Sequence, residues 1–500
     1  MTAKVLMVQG TSSSVGKSLI VAGLCRLLRQ EGYRVAPFKA QNMALNAAVT
    51  KEGLEIGRAQ AVQAEAAGVE ASVDMNPLLL KPEGDSRSQV VLLGRPLESL
   101  HAQDFYRDRS RFWTIICDSL DRLREQYDVV LIEGAGSPAE INLRKGDLVN
   151  MRVALHSRAP VLLAGDIDRG GVFASLVGTL ALLEPEEREM VRGFVINKFR
   201  GDISLLKSGL RMLEERTGVP VLGVVPYLHD LLISQEDSAS LEAGSTGSGL
   251  LDVAVIRLPR IANFDDFDLL GAEPAVGLRY VSDPLKLGRP DLVILPGSKG
   301  TVADLQFLRQ TGLDRVLIAL ARGGTPVLGI CGGYQMLGEK ILDPEGVESA
   351  QQETAGLGLL PAVTTFAARK RTVKVSARVL DGPGPFVGTA DEEIAAYEIH
   401  MGSTVHAGYP MFQLVEDGRA VREGCVAGNG LVMGSYLHGL FENESLRRAL
   451  VNWLAGRRGI SVPEGDGVVA GRESEYDRLA GALRRNLDLG ALFRILGLER

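Results

Sequence analysis

The sequence has few cysteines, and none of them form a CxxC pair. Cys25, Cys117, Cys331 and Cys425 are spread over 500 residues. Zinc sites and disulfide-stabilised scaffolds are typically marked by closely spaced cysteines, so this spacing favours neither. We therefore expect reduced thiols and a cytoplasmic protein.

Long apolar runs and an excess of basic residues are also missing. No stretch of about 18 apolar residues occurs, so the sequence predicts no membrane-spanning helix. Glycine interrupts the first ten residues too early for a signal peptide, and we expect none. The sequence has 55 Lys and Arg against 62 Asp and Glu, a net charge of −7. We therefore expect neither nucleic acid nor an anionic membrane as a partner.

Short apolar runs, each followed by a turn and an amphipathic segment, recur along the chain. The 45% apolar and 23% charged residues are an ordinary globular balance, and the length predicts two or three domains. Apolar runs of this length are typical of parallel strands buried on both faces. They occupy 5–8, 129–132, 161–164, 194–196, 221–225, 253–256, 292–295 and 327–330. The pattern predicts a doubly wound parallel α/β domain in the first half and another α/β domain in the second.

A change in composition separates the two halves. Residues 234–249 are small, polar and rich in glycine, which is typical of a linker. We predict one domain over 1–233, a linker over 234–250 and a second domain over 251–445. Leucines at helical spacing predict a small helical tail over 446–500.

A glycine-rich segment, GTSSSVGKS (10–18), follows the first predicted strand and opens the first predicted helix. The backbone N–H groups of such a loop can cradle phosphate, and the helix N-terminus adds positive potential. Lys17 is predicted to reach the terminal phosphates and Ser18 to bind Mg²⁺. Five residues rather than four separate the glycines, and the alternative is an incidental glycine-rich turn. The predicted ATP-binding residues of this segment are Gly10, Thr11, Ser13, Gly16, Lys17 and Ser18.

Charged and polar residues follow other predicted strands, at the sheet edge where ligands bind in such folds. Glu133 ends one apolar run and is predicted to hold Mg²⁺. Lys39 is predicted to add positive charge beside a transferring phosphoryl group, and Asn197 belongs to the predicted ATP-binding set. Asp166 and Asp168 end another run. The alternative is a solvated turn for each acidic residue and a surface lysine for Lys39.

The second half contains a candidate thiol nucleophile in GICGG (329–333), between an apolar run and a predicted helix. A nucleophile at such a turn is exposed, and a helix start favours the thiolate of Cys331. The N–H of Gly332 is predicted to contribute to an oxyanion hole. His438 is the predicted base, so that the pair would transfer an acyl group through a thioester. The alternatives are a small buried core residue at 331 and a structural histidine at 438.

A P-loop and a thiol site in one chain resemble the cobyric acid synthase family of cobalamin-pathway amidotransferases. The resemblance covers about residues 4–445. Besides the Cys331 turn it rests on KAQNMALN (39–46), EGAGSPAEIN (133–142), GDIDRGGVF (165–173) and YEIHMG (397–402). The first half is similar to the dethiobiotin-synthetase type of ATPase, whose P-loop shares the longer glycine spacing. The second half is similar to the cobyrinic branch of the class I glutamine amidotransferases.

The resemblance implies a carbon–nitrogen ligase that uses ATP, Mg²⁺ and glutamine. Its substrate would be a corrinoid, adenosylcobyrinic acid a,c-diamide, amidated at the b, d, e and g carboxylates. The resemblance also implies an oxyanion donor at Gly297. Leu440 occupies the position where ordinary class I members have a glutamate, so the group that orients His438 is left open. The candidates for corrinoid or interface contacts are Asp166, Asp168, Arg169, Tyr397 and His400.

Two alternative functions stay open at this point. A cobyrinic acid a,c-diamide synthase joins the same two domain types, although segments 165–173 and 397–402 favour the first interpretation. A P-loop switch ATPase with an inert amidotransferase-like domain would lack glutaminase activity. The presence of both Cys331 and His438 argues against it.

Overall fold

A computed structural model describes residues 2–84, 86–229, 231, 233, 249–416, 418–462 and 472–498. The predicted linker lies outside the described residues except for positions 249 and 250. Within the described ranges, every helix is too short or too polar to span a lipid bilayer.

The chain divides into two compact units. Unit 1 comprises Met1–Ala44, Glu55–Ser234 and Ala470–Arg500, and unit 2 comprises Leu45–Leu54 and Gln235–Val469. Each unit is therefore discontinuous in sequence. A short excursion of the first half belongs to unit 2, and the end of the chain belongs to unit 1.

The first half of the chain alternates strands and helices. Its strands are β1 (Lys4–Gly10), β2 (Val35–Phe38), β3 (Gln41–Met43), β4 (Ala47–Val49), β5 (Glu55–Gly57), β6 (Leu78–Gly84), β7 (Arg87–Leu92), β8 (Arg95–His101), β9 (Val129–Glu133), β10 (Val161–Asp166), β11 (Val191–Phe199) and β12 (Val221–Pro226). Its helices are α1 (Lys17–Gln30), α2 (Arg58–Ala67), α3 (Ala102–Asp108), α4 (Trp113–Gln126), α5 (Met151–Ser157), α6 (Val172–Leu182), α7 (Pro185–Met190) and α8 (Lys207–Thr217).

The second half continues with further strands and helices. Its strands are β13 (Leu251–Ile256), β14 (Val276–Val281), β15 (Leu292–Leu295), β16 (Val327–Ile330), β17 (Lys340–Leu342), β18 (Glu353–Ala355), β19 (Ala362–Val379), β20 (Glu393–His406), β21 (Phe412–Glu416), β22 (Arg419–Glu423), β23 (Cys425–Val426) and β24 (Val432–Ser435). Its helices are α9 (Asp268–Gly271), α10 (Pro284–Leu287), α11 (Thr301–Thr311), α12 (Leu313–Arg322), α13 (Gly332–Leu337), α14 (Glu444–Arg458), α15 (Arg472–Asn486) and α16 (Leu489–Leu496).

A parallel sheet forms the centre of unit 1, with the strand order β12-β11-β10-β1-β9-β2. Strands β1, β2, β9 and β10 are largely apolar and almost completely buried, as parallel strands covered by helices must be. The carboxyl ends of β1, β9 and β10 lie at one edge, which brings the loop 10–18 close to Glu133 and Asp166. The predicted doubly wound domain is confirmed.

Unit 1 also contains a smaller sheet with the order β3-β6-β7-β8. Strands β6, β7 and β8 form an antiparallel meander, and β3 joins it in parallel. The sequence analysis did not predict this sheet. Polar residues occupy half or more of β7 and β8, so no continuous apolar run marks them.

Unit 2 is built on a sheet with the order β14-β13-β15-β16-β24-β23, parallel except at β23. Strands β16 and β24 are direct neighbours, with Ile330 opposite Ser435. Because the two strands are parallel, their carboxyl ends bring Cys331 and His438 to the same edge. A second sheet has the order β18-β17-β19-β21-β22, with β20 paired along β19.

The segment predicted as one helical tail is divided between the two units. Helix α14 belongs to the core of unit 2, where Leu446, Leu450 and Leu454 are buried. Helices α15 and α16 belong to the core of unit 1.

Helix α15 packs on α1, the helix that begins at the phosphate loop. A Cβ at Gly23 of α1 would lie 2.6 Å from Leu483 Cδ1, so a small residue at 23 lets the two helices approach closely. Arg26 of α1 pairs with Asp477 (2.7 Å) and Glu473 (2.6 Å) of α15. Helix α15 therefore covers the helix that carries Lys17 and Ser18.

We expect Leu483→Ala to lower the free energy of unfolding of unit 1 by about 2–5 kcal/mol, because truncating a buried leucine leaves a cavity. Trp113 lies in unit 1 and Trp453 in unit 2, and the chain has no third tryptophan. In a Trp453→Phe background, urea unfolding followed by tryptophan fluorescence therefore measures unit 1. Leu205→Ala is the matched control, since Leu205 is 83% exposed, and should change the energy by less than about 0.5 kcal/mol. Equal losses in the two variants would contradict the packing argument.

Candidate active sites

The loop between β1 and α1 depends on a glycine at position 16. Gly16 has φ 97°, and a Cβ there would lie 2.2 Å from Asn197 Nδ2. Both the backbone angle and the close neighbour therefore require glycine. Asn197 Nδ2 donates to the Val15 carbonyl (2.8 Å), and the Thr11 N–H donates to the Ala164 carbonyl (2.9 Å). Strands β10 and β11 thus hold the loop in place.

Lys17 is the first residue of α1, and its ammonium folds back over the loop. Its Nζ donates to the carbonyls of Ser12 (2.9 Å) and Gly136 (3.0 Å). A Cβ at Gly10 would lie 3.0 Å from this Nζ, so glycine leaves room for the ammonium. Ser13 is exposed in the same loop. A lysine within a ring of backbone groups at a helix start is the arrangement that binds nucleotide phosphates.

Glu133, at the end of β9, is 1% exposed and has partners on both carboxylate oxygens. Its Oε1 accepts from Ser18 Oγ (2.9 Å) and Lys39 Nζ (2.9 Å), and its Oε2 accepts from Gln63 Nε2 (2.6 Å). Burial alone would raise the pKa of Glu133, but the Lys39 charge and these hydrogen bonds lower it below its ordinary value. The carboxylate is therefore ionised in the folded protein.

The oxygen atoms around Glu133 suit Mg²⁺. Among the described residues, no group of three or more His, Cys, Asp or Glu side chains is placed so that it could hold a metal ion. Mg²⁺ is commonly bound by one or two carboxylates together with substrate phosphates rather than by a cage of protein ligands. The Ser18 hydroxyl and the Glu133 carboxylate are donors of this kind, next to a loop shaped for phosphate.

The acidic residues predicted after β10 lie in ion pairs. Asp166 Oδ2 accepts from Lys198 Nζ (2.9 Å), which also donates to the Ser14 carbonyl (2.7 Å). Asp168 pairs with Arg200 (3.1 Å), while Arg169 is largely exposed, 3.9 Å from Asp166. Asp166 therefore helps to hold the phosphate loop through Lys198.

In unit 2, Cys331 lies at a strained turn between β16 and α13. Its backbone has φ 52° and ψ −110°, which is unusual for a residue with a side chain. A Cβ at Gly333 would lie 1.9 Å from the Leu295 carbonyl, and one at Gly332 would lie 2.9 Å from the Ser298 nitrogen. The two glycines thus permit a turn that holds the thiol at the start of a helix, as in other nucleophile elbows.

A carboxylate holds His438 in place. His438 Nδ1 lies 2.6 Å from Asp266 Oδ2, and the Gly439 N–H donates to Asp266 Oδ1 (2.9 Å). The imidazole also interacts with the Cys331 side chain, whose Sγ lies 3.5 Å from the Ile399 carbonyl oxygen. Burial alone would lower the pKa of His438, but Asp266 and the Cys331 side chain raise it above its ordinary value. Asp266 thus fixes the ring of His438 beside the Cys331 side chain.

The predicted oxyanion donors lie beside this pair. A Cβ at Gly297 would lie 3.3 Å from His438 Cε1 and 3.8 Å from Cys331 Cβ. Gly332 is the first residue of α13, and first-turn N–H groups have no acceptor within their own helix. Both backbones therefore lie next to Cys331, and an oxyanion role for their N–H groups stays a prediction.

Tyr397 and His400 of β20 have partners inside unit 2. The Tyr397 ring stacks on the His438 ring, with centroids 5.2 Å apart and planes 17° apart. The backbones of these two residues exchange hydrogen bonds, and Asn263 donates to the Tyr397 hydroxyl (3.2 Å). The His400 ring stacks on Tyr436 at 3.8 Å. Tyr397 thus packs directly against the imidazole of His438.

Two family models match the chain. The CobQ/CobB/MinD/ParA nucleotide binding domain matches residues 6–241, and the CobB/CobQ-like glutamine amidotransferase domain matches residues 252–446. The chain is 54% identical to "Cobyric acid synthase" of Sorangium cellulosum (strain So ce56), with all of both chains covered. It is 51% identical to the protein of the same name from Moorella thermoacetica, with 100% of this chain and 98% of the other covered. The chain belongs to the cobyric acid synthase family.

The family assignment from the sequence is thus confirmed, and the structure adds a residue that the sequence left open. In this member of the cobyric acid synthase family, Asp266 is the group that orients His438, which the sequence analysis left open. The sequence signal for it is weak. Asp266 is one of two adjacent aspartates in NFDDF (263–267), ten residues after β13. Only the fold brings it to the histidine.

We expect Asp266→Asn to reduce glutamine hydrolysis by about 10² to 10⁴-fold, because the amide favours the wrong tautomer of His438 and removes the charge that stabilises the imidazolium. Release of ammonia from glutamine by the purified protein measures this. Asp283→Asn is the matched control, since Asp283 only caps α10, and it should hydrolyse glutamine at the wild-type rate. A wild-type rate in Asp266→Asn would remove the residue from the site.

We expect Lys39→Met to reverse the pH dependence that Glu133 gives to the stability of unit 1. In the wild type, the lowered pKa stabilises the fold above the ordinary value of 4.5, and the stabilisation is lost as pH falls through the folded-state pKa. Without Lys39, burial raises this pKa, so the variant loses stability as pH rises and by about 3–5 kcal/mol at neutral pH.

Urea unfolding of the Lys39→Met variant between about pH 4 and 8 tests this sign reversal. Adding Glu133→Gln to Lys39→Met should abolish the new pH dependence, because no ionisable group is then left at this position. If the wild type and the Lys39→Met variant show parallel pH profiles, the pairing with Lys39 does not control the protonation of Glu133.

Proposed function

We propose that the chain is a glutamine-dependent, ATP-driven ligase that amidates the b, d, e and g carboxylates of adenosylcobyrinic acid a,c-diamide. One observation carries the proposal. A single chain combines a phosphate loop beside a buried Lys39–Glu133 pair with a Cys331–His438–Asp266 arrangement. The first suits activation of a carboxylate by ATP, and the second suits release of ammonia from glutamine.

Unit 1 would activate the carboxylate. A carboxylate is a poor electrophile because its oxygen is a poor leaving group. One carboxylate oxygen attacks the γ-phosphorus of ATP and ADP leaves, which gives an acyl phosphate. Lys17 and the loop N–H groups bind the phosphates, and Lys39 stabilises charge on the transferred group. Mg²⁺, held by Ser18 and Glu133, would neutralise charge on the phosphates.

Unit 2 would supply the nitrogen. His438 takes the proton of the Cys331 thiol, and the thiolate attacks the side-chain amide carbon of glutamine. The N–H groups of Gly297 and Gly332 stabilise the oxyanion, and the protonated imidazole donates to the departing ammonia. Water then hydrolyses the thioester to glutamate. The ammonia attacks the acyl phosphate carbon, and phosphate leaves.

The two alternatives have less support. The relatives that match over their full length carry the name of the first interpretation rather than that of a cobyrinic acid a,c-diamide synthase. An inert amidotransferase-like unit needs no oriented histidine, yet Asp266 holds His438 beside Cys331. Corrinoid contacts through Asp166, Asp168, Arg169, Tyr397 and His400 stay predictions.

Mass spectrometry of adenosylcobyrinic acid a,c-diamide, incubated with the protein, Mg²⁺-ATP and glutamine, tests the proposal. We expect successive amidations up to the fully amidated product. Cys331→Ala should lose the reaction with glutamine and keep it with added ammonia, because only ammonia release needs the thiol. Lys17→Ala should lose both.

The same assay separates the alternatives. Amidation of cobyrinic acid, with the a,c-diamide left unchanged, would instead establish the diamide synthase. If the protein hydrolyses no glutamine and changes no corrinoid, the ligase proposal fails and the switch ATPase takes its place.

A further inference from the structure

Gln63, on α2, is a buried neighbour of the predicted Mg²⁺ ligands that the reaction scheme above does not use. It is 0% exposed. Its Nε2 donates to Glu133 Oε2 (2.6 Å) and to the Ser18 carbonyl (3.3 Å). The amide therefore contacts both residues that would hold the cation.

The other end of the same amide has no partner. Gln63 Oε1 is buried and makes no hydrogen bond within the described part of the chain. Native proteins rarely leave a buried amide oxygen unsatisfied, and such an atom at a ligand site indicates a missing ion, water or ligand. Gln60, one helical turn earlier, is equally buried, but its Oε1 accepts from Asn42 Nδ2 (3.1 Å). Its unpaired atom is Nε2, an N–H donor that cannot ligate a cation.

We propose that Gln63 is the third protein ligand of the divalent-cation site formed by Ser18 and Glu133, binding the cation through Oε1. The inference rests on the proposed nucleotide site of unit 1. Amide carbonyl oxygens are hard donors of the kind that Mg²⁺ accepts. The Nε2 hydrogen bonds fix the amide against Glu133 and the Ser18 carbonyl, so that Oε1 of the same amide is held close to both predicted ligands.

This ligand set has a chemical consequence. Glu133 is the one anionic ligand among the three, and Lys39 already pairs with it. A cation there gains little net charge attraction from the protein, so it needs the nucleotide phosphates as further ligands. We therefore expect the cation to bind with the nucleotide and only weakly without it.

Binding of Mn²⁺ in the presence of ADP, measured by the electron paramagnetic resonance signal of free Mn²⁺, tests the inference without any turnover. We expect Gln63→Met and Gln63→Asn to weaken Mn²⁺ binding about 10 to 100-fold. Both variants should bind ADP in the presence of EDTA as tightly as the wild type does, and this metal-free binding shows that the phosphate loop is folded. Gln60→Met removes a buried amide from the same helix and should bind Mn²⁺ like the wild type.

The Gln63→Glu variant should change the Mn²⁺ affinity in the opposite direction, which would not be expected if Gln63 were only structural. It keeps an oxygen at this position and adds a charge, so Mn²⁺ should bind more tightly. Without the cation, two adjacent carboxylates repel, so the thermal unfolding temperature of the metal-free protein should fall and recover when Mn²⁺ and ADP are added.

Several results would overturn the inference. These are wild-type Mn²⁺ affinity in Gln63→Met, equal weakening in Gln60→Met, or weaker binding in Gln63→Glu. If the wild type itself binds ADP but no Mn²⁺, then the Mg²⁺ site of the proposed function also fails. If wild-type binding is normal and only the variant results disagree, the proposed function stands and the role of Gln63 falls.

Discussion

The charge of a buried, ionised carboxylate must be balanced by a counter-charge and hydrogen bonds. In the nucleotide site of unit 1, this carboxylate is Glu133. Removing such a charge from water costs several kcal/mol unless a counter-charge and hydrogen bonds replace the solvent. Lys39, Ser18 and Gln63 supply them, from the segment after β2, from α1 and from α2. The positions of these elements are therefore coupled through one side chain. Since Ser18 follows Lys17 in the first turn of α1, the same coupling fixes where the phosphate loop ends.

Unit 2 also contains a buried carboxylate, which is paired with an imidazole instead of a lysine. Asp266 is buried like Glu133, but its neutralising partner is His438, which can gain and lose a proton. The carboxylate of unit 1 thus faces a permanent cation, and that of unit 2 faces a titratable one. The difference matches the chemistry proposed for each site, because phosphate binding needs fixed charge and thiol chemistry needs proton transfer.

The parts of the fold and of the site that could be predicted are those marked by a pattern of neighbouring residues in the sequence. Buried parallel strands appear as continuous apolar runs, so both central sheets were predictable. The phosphate loop and the Cys331 turn are contiguous motifs. Gln63 and Asp266 carry no such signal, because each acts through a contact that is distant along the chain. The long strands β19 and β20 were missed because their half-exposed sequences lack the continuous apolar runs on which the strand prediction rested.

Helices α15 and α16 complete the core of unit 1, although the chain reaches them only after all of unit 2. During synthesis the ribosome therefore finishes the amidotransferase unit first. Until the last residues emerge, the face of α1 that Leu479 and Leu483 cover stays in contact with water. A fragment cut at the linker would carry the phosphate loop but lack a layer of its own core. The core of unit 1 therefore needs helices that follow unit 2 along the chain.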